Sequence, residues 1–554
     1  MQVLAQNVRG FDGNCVTGKT RIQIRFTDKW IDTLKSSDYS VSGQDVNLIV
    51  SKLLENSIKE KDFTYTDVEI QYIPQPGNFM LDKNGARVYD IPHGVEVLSI
   101  RDGAPFWEPF RKMTVEDDCE YGTVKVGVRS VDVSTNPSMA VFDTETGLLK
   151  KVTPQDAEKK FVPVIIKDPT PSANKYTYED GWFYGAMASD GFVSGNYAGY
   201  TKLDVASREA VAEYVKKHVE GIEPIIIEDS PEKHQKLGVS ISLRYNNVKV
   251  VKFIEGLGLY HEGYPHNALG KCIPRTFIRD ASEEALLGLF SGLMDGDGSV
   301  VIDDGNCVRF RFSTSSKPMV ESLKYLGYRL GIRTGVTVVP PRGWSAEAYV
   351  VLFRTCDVLK YAYQLKFLSG TNRKKFGMFM TDAENTFMRS MDRIPISKEE
   401  GEQLLLRLSP SIGGTNAYNN LRVAINDGSC RKTILLIHIN EVEAIPTLMS
   451  RLCYSDVVAW EKAELVGSVK KGTVYDLLVD DTKVFAVNDG LIIYDTCSWT
   501  PIFSEEANKE CAEYLRTPGN LILPSGDALA GICDDLVKMS MFAMTRDLPD
   551  MKKK

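Results

Sequence analysis

FYGAMASDG at residues 183–191 and FSGLMDGDG at residues 290–298 are two versions of one pattern. Both end on Asp-Gly, and their final aspartates, Asp190 and Asp297, lie 107 residues apart, which leaves room for one α/β half between them. Helical segments and scattered basic residues surround them over residues 177–395. One such match would be weak, because these turns are common, and two helix ends closed by Asp-Gly caps are the alternative explanation. Two matches at this spacing are a much stronger signal than one.

Strand-like sequence lies on both sides of this central region. Apolar residues alternate with polar ones at Ile22, Ile24 and Phe26, which is the period of a strand and not of a helix. Further strand-like segments cover residues 95–100, 122–128, 138–143 and 472–494. The sequence therefore predicts one β domain that is interrupted by a large α/β domain, with residues 36–85 as a smaller polar insertion.

The composition is that of a globular chain with several cores: 554 residues, 43% hydrophobic and 25% charged. We see no apolar run near the roughly 18 residues of a membrane helix and no signal-peptide pattern. The net charge of -8 argues against non-specific nucleic-acid binding but allows a basic groove. The ten cysteines form no CxxC pair, which argues against zinc, and their scatter favours reduced thiols in a cytoplasmic protein.

A phosphate-loop pattern, GNCVTGKT at residues 13–20, has the wrong surroundings. That motif needs a buried strand before it and a helix after it, so that backbone amides and the helix N-terminus face the phosphate. Here VRGFD precedes it and RIQIRF follows it, and neither segment fits. The surroundings therefore argue against a nucleotide site.

The two ends of residues 15–495 resemble the intein family of protein-splicing elements. Inteins begin with Cys or Ser and a Gly-x-Thr turn, which matches Cys15, Gly18 and Thr20. Their C-terminal blocks are similar to VYDLLVDDTKVFAVNDGLIIYD, which ends at Asp495. The resemblance implies an all-β, horseshoe-shaped Hint-type splicing domain that is formed by both ends of the insert.

The resemblance also implies the chemistry at the two junctions, which needs no cofactor. The Cys15 thiol attacks the Asn14 carbonyl and forms a thioester, and the Thr496 hydroxyl then accepts the acyl group. Asp495, the last residue of the insert, cyclises onto its own carbonyl and releases the joined host chain. Asp476 matches the acidic residue of the family that tunes the first thiol; considered alone, it is a strand residue at a turn.

Several positions depart from the family pattern. Ser134 and Pro137 stand at the Thr and His of the upstream T-x-x-H motif, and a proline cannot donate to the scissile amide. The downstream His, the penultimate His and the terminal Asn are replaced by Lys483, Tyr494 and Asp495. These departures predict slow splicing, with Asn136 or Ser134 as the alternative substitute donors.

The central region resembles LAGLIDADG homing endonucleases, whose motif the two opening stretches match. The resemblance implies two helices that pack through small residues, here Gly185 and Gly292. Each helix ends on an acidic residue that projects towards the DNA, here Asp190 and Asp297. Two carboxylates at a pseudo-twofold axis can share Mg²⁺ or Mn²⁺, which activates water and stabilises the leaving oxygen at each scissile phosphate.

Three more segments support this resemblance. GKCIP (270–274) precedes the second motif as in the family, and its Lys271 is a candidate for stabilising phosphate charge, or else a solvated surface lysine. Residues 313–332 resemble the helix that follows the strands of the second motif. DNA contacts would come from VRFRFST (308–314) and NRKKF (372–376), although such a basic run is more often a solvated patch.

The sequence thus predicts a multidomain chain. Its units are an N-terminal host fragment, the first part of the splicing domain, the α/β endonuclease, a linker with the last part of the splicing domain, and a C-terminal host fragment, at 1–14, 15–168, 169–395, 396–495 and 496–554. We expect self-splicing together with metal-dependent cleavage of double-stranded DNA by a monomer, without membrane association. The alternative is a decayed insert whose LAGLIDADG scaffold binds DNA without cutting, or only assists folding.

Overall fold

The structure of the protein is a computed structural model. It describes residues 8–9, 16–17, 20, 22, 24–26, 80–81, 86–90, 95–101, 103–170, 172–229, 240–261, 263–302, 308–341, 347–380, 392–479, 481–488, 490–495 and 500–501. Cys15, Thr496 and nearly all of the polar insertion at 36–85 lie outside these residues. Among the described helices, none has the length and apolarity to cross a membrane.

The first part of the chain is built from strands. They are β1 (Val8–Arg9), β2 (Val16–Thr17), β3 (Ile24–Phe26), β4 (Met80–Leu81), β5 (Arg87–Asp90), β6 (Val95–Arg101), β7 (Ala104–Val126), β8 (Arg129–Ser134), β9 (Met139–Phe142), β10 (Leu149–Val152) and β11 (Phe161–Ile165). The strand-like segments at 95–100, 122–128 and 138–143 fall in β6, at the end of β7 and in β9, respectively.

The central region consists of two halves with the same order of elements. The first half contains α1 (Tyr178–Asp190), β12 (Gly191–Ser194), β13 (Tyr197–Thr201), α2 (Val205–His218), β14 (Ile225–Asp229), β15 (Ser240–Tyr245) and α3 (Val248–Glu255). After α4 (Arg275–Asp280), the second half contains α5 (Glu283–Asp295), β16 (Gly298–Ile302), β17 (Val308–Thr314), α6 (Lys317–Leu330), β18 (Thr334–Val339), β19 (Ala348–Phe353), α7 (Thr355–Val358), a 3-10 turn (Leu359–Tyr361) and α8 (Gly370–Met380). The sheets have matching orders, β12-β13-β15-β14 and β16-β17-β19-β18.

A small helical unit follows, where the sequence analysis placed only a linker. It contains β20 (Arg393–Pro395), α9 (Lys398–Ile412), α10 (Asn416–Asn426), β21 (Ser429–Arg431), α11 (Lys432–Ile437), α12 (Ile439–Glu443), α13 (Pro446–Cys453) and a 3-10 turn (Tyr454–Asp456). It has a core of its own, with Leu404, Leu408 and Leu448 fully buried. The start of α9 is fixed by a capping box, because the side chains of Ser397 and Glu400 each accept a hydrogen bond from the backbone amide of the other.

The end of the chain returns to the first sheet. Its strands are β22 (Val458–Val479), β23 (Val484–Val487), β24 (Leu491–Tyr494) and β25 (Thr500–Pro501). β2 to β11 and β22 to β24 form one 13-stranded sheet, in which the long strands β7 and β22 pair over most of their length. Residues from the two ends of the chain therefore share one β domain, and the α/β region and the helical unit are inserted into it.

A cluster of charged residues joins the second α/β half to both neighbours. The Arg333 guanidinium, 6% exposed, contacts Asp357 of its own half and Asp392 before β20, both at 2.8 Å. Glu461 on β22 lies 3.7 Å from the same guanidinium. Burial acts to raise the pKa values of Asp357 and Asp392, but the hydrogen bonds and the charge of the guanidinium hold both below their usual range. This cluster fixes the α/β region against the β domain.

Candidate nuclease centre and splice junctions

The two repeated motifs form a pair of closely packed helices, α1 and α5. Thr177 caps the start of α1 and Ser282 the start of α5, each by accepting a backbone N–H with its side chain. Glycine is required where the backbones touch: a Cβ on Gly292 would lie 2.2 Å from the Trp182 carbonyl oxygen, and one on Gly185 would lie 2.5 Å from that of Leu289. The structure thus places both glycines at the helix contact, and the two C-terminal ends side by side.

Asp190 lies where α1 meets α5 and is held by a lysine. Lys202 Nζ donates to Asp190 Oδ2 at 2.8 Å and to the Gly296 carbonyl at 2.9 Å, so it connects the ends of both helices. The side chains of Lys202 and Asp190 are each 20% exposed. Lys202 comes directly after β13, and its backbone amide donates to the Ile241 carbonyl. Lys202 was not identified from the sequence, because a single lysine after a strand belongs to no recognisable motif.

Asp297 and Lys271 complete the centre. Asp297 stands in the turn between α5 and β16 and is exposed, but the surrounding protein removes water from its carboxylate, and this raises its pKa. The like charge of Asp190 raises it further, whereas Lys271 and Lys202 lower it. Lys271 Nζ donates to the Ser189 carbonyl. Burial lowers the pKa of Lys271, and the charges of Asp297 and Asp190 oppose that shift.

The two lysines have matching acceptors. Ser189 precedes Asp190 and accepts from Lys271, and Gly296 precedes Asp297 and accepts from Lys202. The lysines themselves do not occupy equivalent positions. Gly191 pairs with Tyr200 in the first sheet and Gly298 pairs with Phe312 in the second, so the counterpart of Lys202 is Thr314. The centre is therefore symmetric in its carboxylates and asymmetric in its cations.

The donors fit a hard divalent cation. Two carboxylates and the Gly296 carbonyl offer the oxygen ligands that Mg²⁺ and Mn²⁺ prefer. Within the described residues, no group of three or more His, Cys, Asp and Glu side chains could hold an ion by itself. Mg²⁺ usually combines one or two carboxylates with water and substrate phosphates. The arrangement thus suits an ion that is held jointly by the protein and a DNA phosphate.

Asp295 is a third carboxylate in the second motif, with a structural role. It is 2% exposed and accepts from Trp182 Nε1 and from the backbone amides of Leu368 and Ser369. Burial raises its pKa, and those hydrogen bonds oppose the shift. Its counterpart in the first motif, 107 residues earlier, is Ala188. Asp295 thus links the chain before α8 to the helix pair, and its carboxylate oxygens are already used in these hydrogen bonds.

Basic side chains line the open face of the second sheet. Along β17 the burial alternates, so that Arg309 and Arg311 are exposed while their apolar neighbours are buried. In NRKKF, Asn372 is buried and donates to the Met294 carbonyl at 2.6 Å, whereas Arg373 and Lys374 are exposed. The predicted DNA-contact segments therefore present cations to solvent, and Asn372 belongs to the fold.

The chain after the predicted N-terminal junction leads into the middle of the large sheet. β2 begins one residue after Cys15, and Val16 pairs with Tyr475 on β22 and with Val133 on β8. These strands carry Asp476, 1% exposed, and Ser134, 1% exposed. Among the described residues, the buried Ser134 hydroxyl has no hydrogen-bond partner. Asn136 and Pro137 are exposed in the following turn, so of the two alternative donors only Ser134 lies inside.

Asp495, the predicted C-terminal junction residue, is buried at the end of β24. Asp495 is 3% exposed, its amide donates to the Lys483 carbonyl, and its Oδ2 accepts from the Val479 amide at 2.8 Å. The Asp495 carbonyl oxygen accepts from Lys151 Nζ at 3.2 Å. Lys483 Nζ donates to the Val479 carbonyl instead. Lys151 was not identified from the sequence, because 344 residues separate it from Asp495.

The two flanking segments also meet. β1 pairs with β25 in antiparallel fashion, Val8 opposite Pro501 and Arg9 opposite Thr500. β1 precedes the proposed first junction and β25 follows the proposed second one. The chain on either side of residues 15–495 is therefore drawn together in space.

Comparison with known proteins identifies one of these regions. A family model described as a LAGLIDADG-like domain matches residues 284–366, from α5 through the second half, so the chain contains a LAGLIDADG-like domain. No curated protein matches the chain. The first half lies outside the matched residues and has a sheet with the same strand order as the second half.

Distant likenesses to solved structures are found as well. Mesophilic variants of the homing endonuclease I-DmoI share 13% identity over 35% of this chain and 98% of theirs, with a TM-score of 0.25. The homing endonuclease I-WcaI bound to its DNA recognition sequence shares 11% over 37% of this chain and 87% of its own, with a TM-score of 0.27. The TvoVMA intein shares 14% over 28% of this chain and 71% of its own, with a TM-score of 0.16.

Proposed function

We propose that this chain is a metal-dependent endonuclease that cuts double-stranded DNA and is inserted into a protein-splicing element. The observation that supports the nuclease is that Asp190, at the end of α1, and Asp297, in the turn after α5, lie close enough for their charges to interact, beside two helices whose backbones touch. A LAGLIDADG-like domain over 284–366 and the matching sheets of the two halves support it.

The chemistry follows from the residues at the centre. Asp190, Asp297 and the Gly296 carbonyl would hold Mg²⁺ or Mn²⁺, which supplies an activated water and neutralises charge on the leaving oxygen. Lys271, whose charge interacts with both carboxylates, is suited to stabilise charge on the scissile phosphate. Exposed arginines on β17, such as Arg311, would bind the DNA from the open sheet. Because both halves lie on one chain, the enzyme would act as a monomer.

The splicing activity is the second proposed function. It is favoured by a β domain that strands from both ends of residues 15–495 build together. Strands from residues 16–26 and from residues 458–494 form one sheet, and the flanks β1 and β25 pair with each other. Transfer of an acyl group from Cys15 to Thr496 requires such closeness. Asp476 would tune the first thiol, and Ser134 would donate to the first scissile amide.

Homing suggests the DNA substrate for a direct test. An insert that spreads to uninterrupted copies of its host gene must cut the sequence at its own insertion point. We therefore expect cleavage of a duplex in which the codons up to Asn14 are joined to those from Thr496. A duplex with the same bases that is still interrupted by the insert's coding sequence is the matched control.

The purified protein is incubated with each duplex in Mg²⁺, in Mn²⁺ and in EDTA. Double-strand cleavage of the joined duplex alone, with either metal and not with EDTA, supports the proposal. Tight binding to the joined duplex without cleavage supports the decayed insert. Neither binding nor cleavage overturns the nuclease assignment.

A further inference from the structure

The C-terminal junction contains a cation that the family pattern does not predict. Lys151 Nζ lies 3.2 Å from the Asp495 carbonyl oxygen and 6.0 Å from the centre of the Tyr494 ring. This oxygen belongs to the Asp495–Thr496 peptide bond, which must break to release the downstream host piece. The contact therefore falls on the reacting carbonyl.

Tyr494 and Lys483, which stand at the usual histidine positions, are poorly suited to polarise that carbonyl. Burial raises the pKa of Tyr494, so its phenol is a poor acid at neutral pH. Lys483 Nζ donates to the Val479 carbonyl at 2.9 Å. When the carbonyl carbon is attacked, its oxygen becomes an oxyanion, which a fixed cation stabilises strongly in a half-buried place. The Lys151 ammonium lies within hydrogen-bond distance of this oxygen and can stabilise the oxyanion.

The fold holds Lys151 in this position from two sides. Lys151 lies on β10 opposite Ala140 of β9, and the Ser138 amide donates to the Val152 carbonyl of β10 at 3.0 Å. The Tyr494 amide in turn donates to the Ser138 carbonyl at 2.7 Å. The chain at the start of β9 thus ties the strand of the lysine to the strand that ends before Asp495.

We propose that Lys151 is a catalytic residue of C-terminal release, which polarises the Asp495 carbonyl in place of the histidine that Tyr494 replaces. The inference rests on the proposed splicing function. The Asp495 carboxylate oxygen attacks its own carbonyl carbon, and the bond from that carbon to the Thr496 nitrogen breaks. The nitrogen takes a proton from a water molecule, which leaves a cyclic anhydride on the insert and a free amine on the host piece. The hydroxide that remains opens the anhydride, and Lys151 keeps its proton and its charge throughout.

The experiment is an intact-mass time course of the full chain at neutral pH. It uses the Asp495→Asn background, in which the side-chain nitrogen attacks and release is fast enough to measure. The variants added to this background are Lys151→Met, Lys151→Arg and a control at the exposed neighbour, Lys150→Met. Dithiothreitol-induced cleavage after Asn14 is followed in each, because it reports the N-terminal junction and the folded splicing domain separately.

We expect Lys151→Met to slow C-terminal release at least about tenfold, since losing a donor to an oxyanion typically costs more than that in a dry site. Lys151→Arg, which keeps the charge, should retain release within about threefold of the background rate, and Lys150→Met should match the background. Thiol-induced cleavage should be equal in all of them, which excludes misfolding.

Release that is equally fast with Lys151→Met overturns the inference and leaves the splicing function standing. Thiol-induced cleavage without any release in the background also overturns it. Loss of both reactions in the background contradicts the splicing function itself. The two failures are therefore distinguishable.

Discussion

The proposed nuclease centre and the proposed C-terminal splice junction differ in how far their aspartates are exposed to solvent. Asp297 is exposed in a turn after α5, and Asp190 keeps 20% of its side chain exposed. Asp495 is 3% exposed and already accepts a hydrogen bond from the Val479 amide. In the proposed mechanism a nuclease carboxylate must meet a metal and a DNA phosphate from outside, whereas the proposed splice junction would react with groups of its own chain. The difference in exposure agrees with these two proposed roles.

The largest expected effect concerns the N-terminal junction. Cys15→Ala removes the only proposed nucleophile for the first step, so no spliced product and no thiol-induced cleavage after Asn14 should form. Mass spectrometry of the expressed chain measures both. Nuclease activity should be unchanged, since the two centres are separate. Persistent thiol-induced cleavage after Asn14 would show that the insert begins elsewhere.

The next effect concerns the C-terminal junction. Asp495→Asn provides a side-chain nitrogen that can form a succinimide, and adding Tyr494→His provides an acid with a pKa near neutrality, about 6.5. We expect release to be about tenfold faster or more in Asp495→Asn, and faster again in the double variant if the imidazole fits. A time course of intact mass compares the three chains. Equal rates of C-terminal release in all three chains would mean that an aspartate at position 495 does not slow release.

A smaller effect concerns the metal. Lys202 Nζ binds Asp190 Oδ2 and the Gly296 carbonyl, two oxygens that a divalent cation would also use. Lys202→Met removes this competitor, and we expect Mn²⁺ to bind the DNA-free protein about fivefold more tightly. Electron paramagnetic resonance of free Mn²⁺ measures it. Arg208→Met is a control for folding, because Arg208 donates to the Lys202 and Leu203 carbonyls nearby. Weaker Mn²⁺ binding in Lys202→Met would show instead that the lysine helps to position the metal ligands.

The smallest effect is a pH shift in the same centre. The pKa of Asp297 is raised above its ordinary value by desolvation and by Asp190, so protons compete with the metal at a higher pH than for an ordinary aspartate. Mn²⁺ binding should therefore weaken as the pH falls through that raised pKa. Lys202 lowers the pKa of Asp297, so Lys202→Met should move this loss to still higher pH. An unchanged or downward shift would contradict the assigned charges.

The same two regions show what a sequence can reveal. The helix pair, its glycines and its two aspartates lie within two short stretches, so a repeated local pattern and the family that it resembles were enough to predict them. Lys202 contacts the Gly296 carbonyl 94 residues further along the chain, and Lys151 contacts the Asp495 carbonyl 344 residues further along. Only the folded chain brings these pairs together. The helical unit at 393–456 was treated as a linker, although the Ser-x-x-Glu box at Ser397 and Glu400 signals the start of a helix.

The most direct test of the account is cleavage of the joined host duplex by Asp190→Asn, Asp297→Asn and the double variant in Mg²⁺. Each substitution keeps the shape of the side chain and removes its charge, while the exposed arginines that would hold the backbone remain. We expect double-strand cleavage to fall by at least about a hundredfold in each single variant, because metal-assisted charge stabilisation contributes several kcal/mol. Duplex binding in a gel-shift assay should stay within about threefold of the wild-type chain, because phosphate contacts and metal use are separate roles. Full double-strand cleavage by the double variant would contradict the claim that these two carboxylates form the nuclease centre.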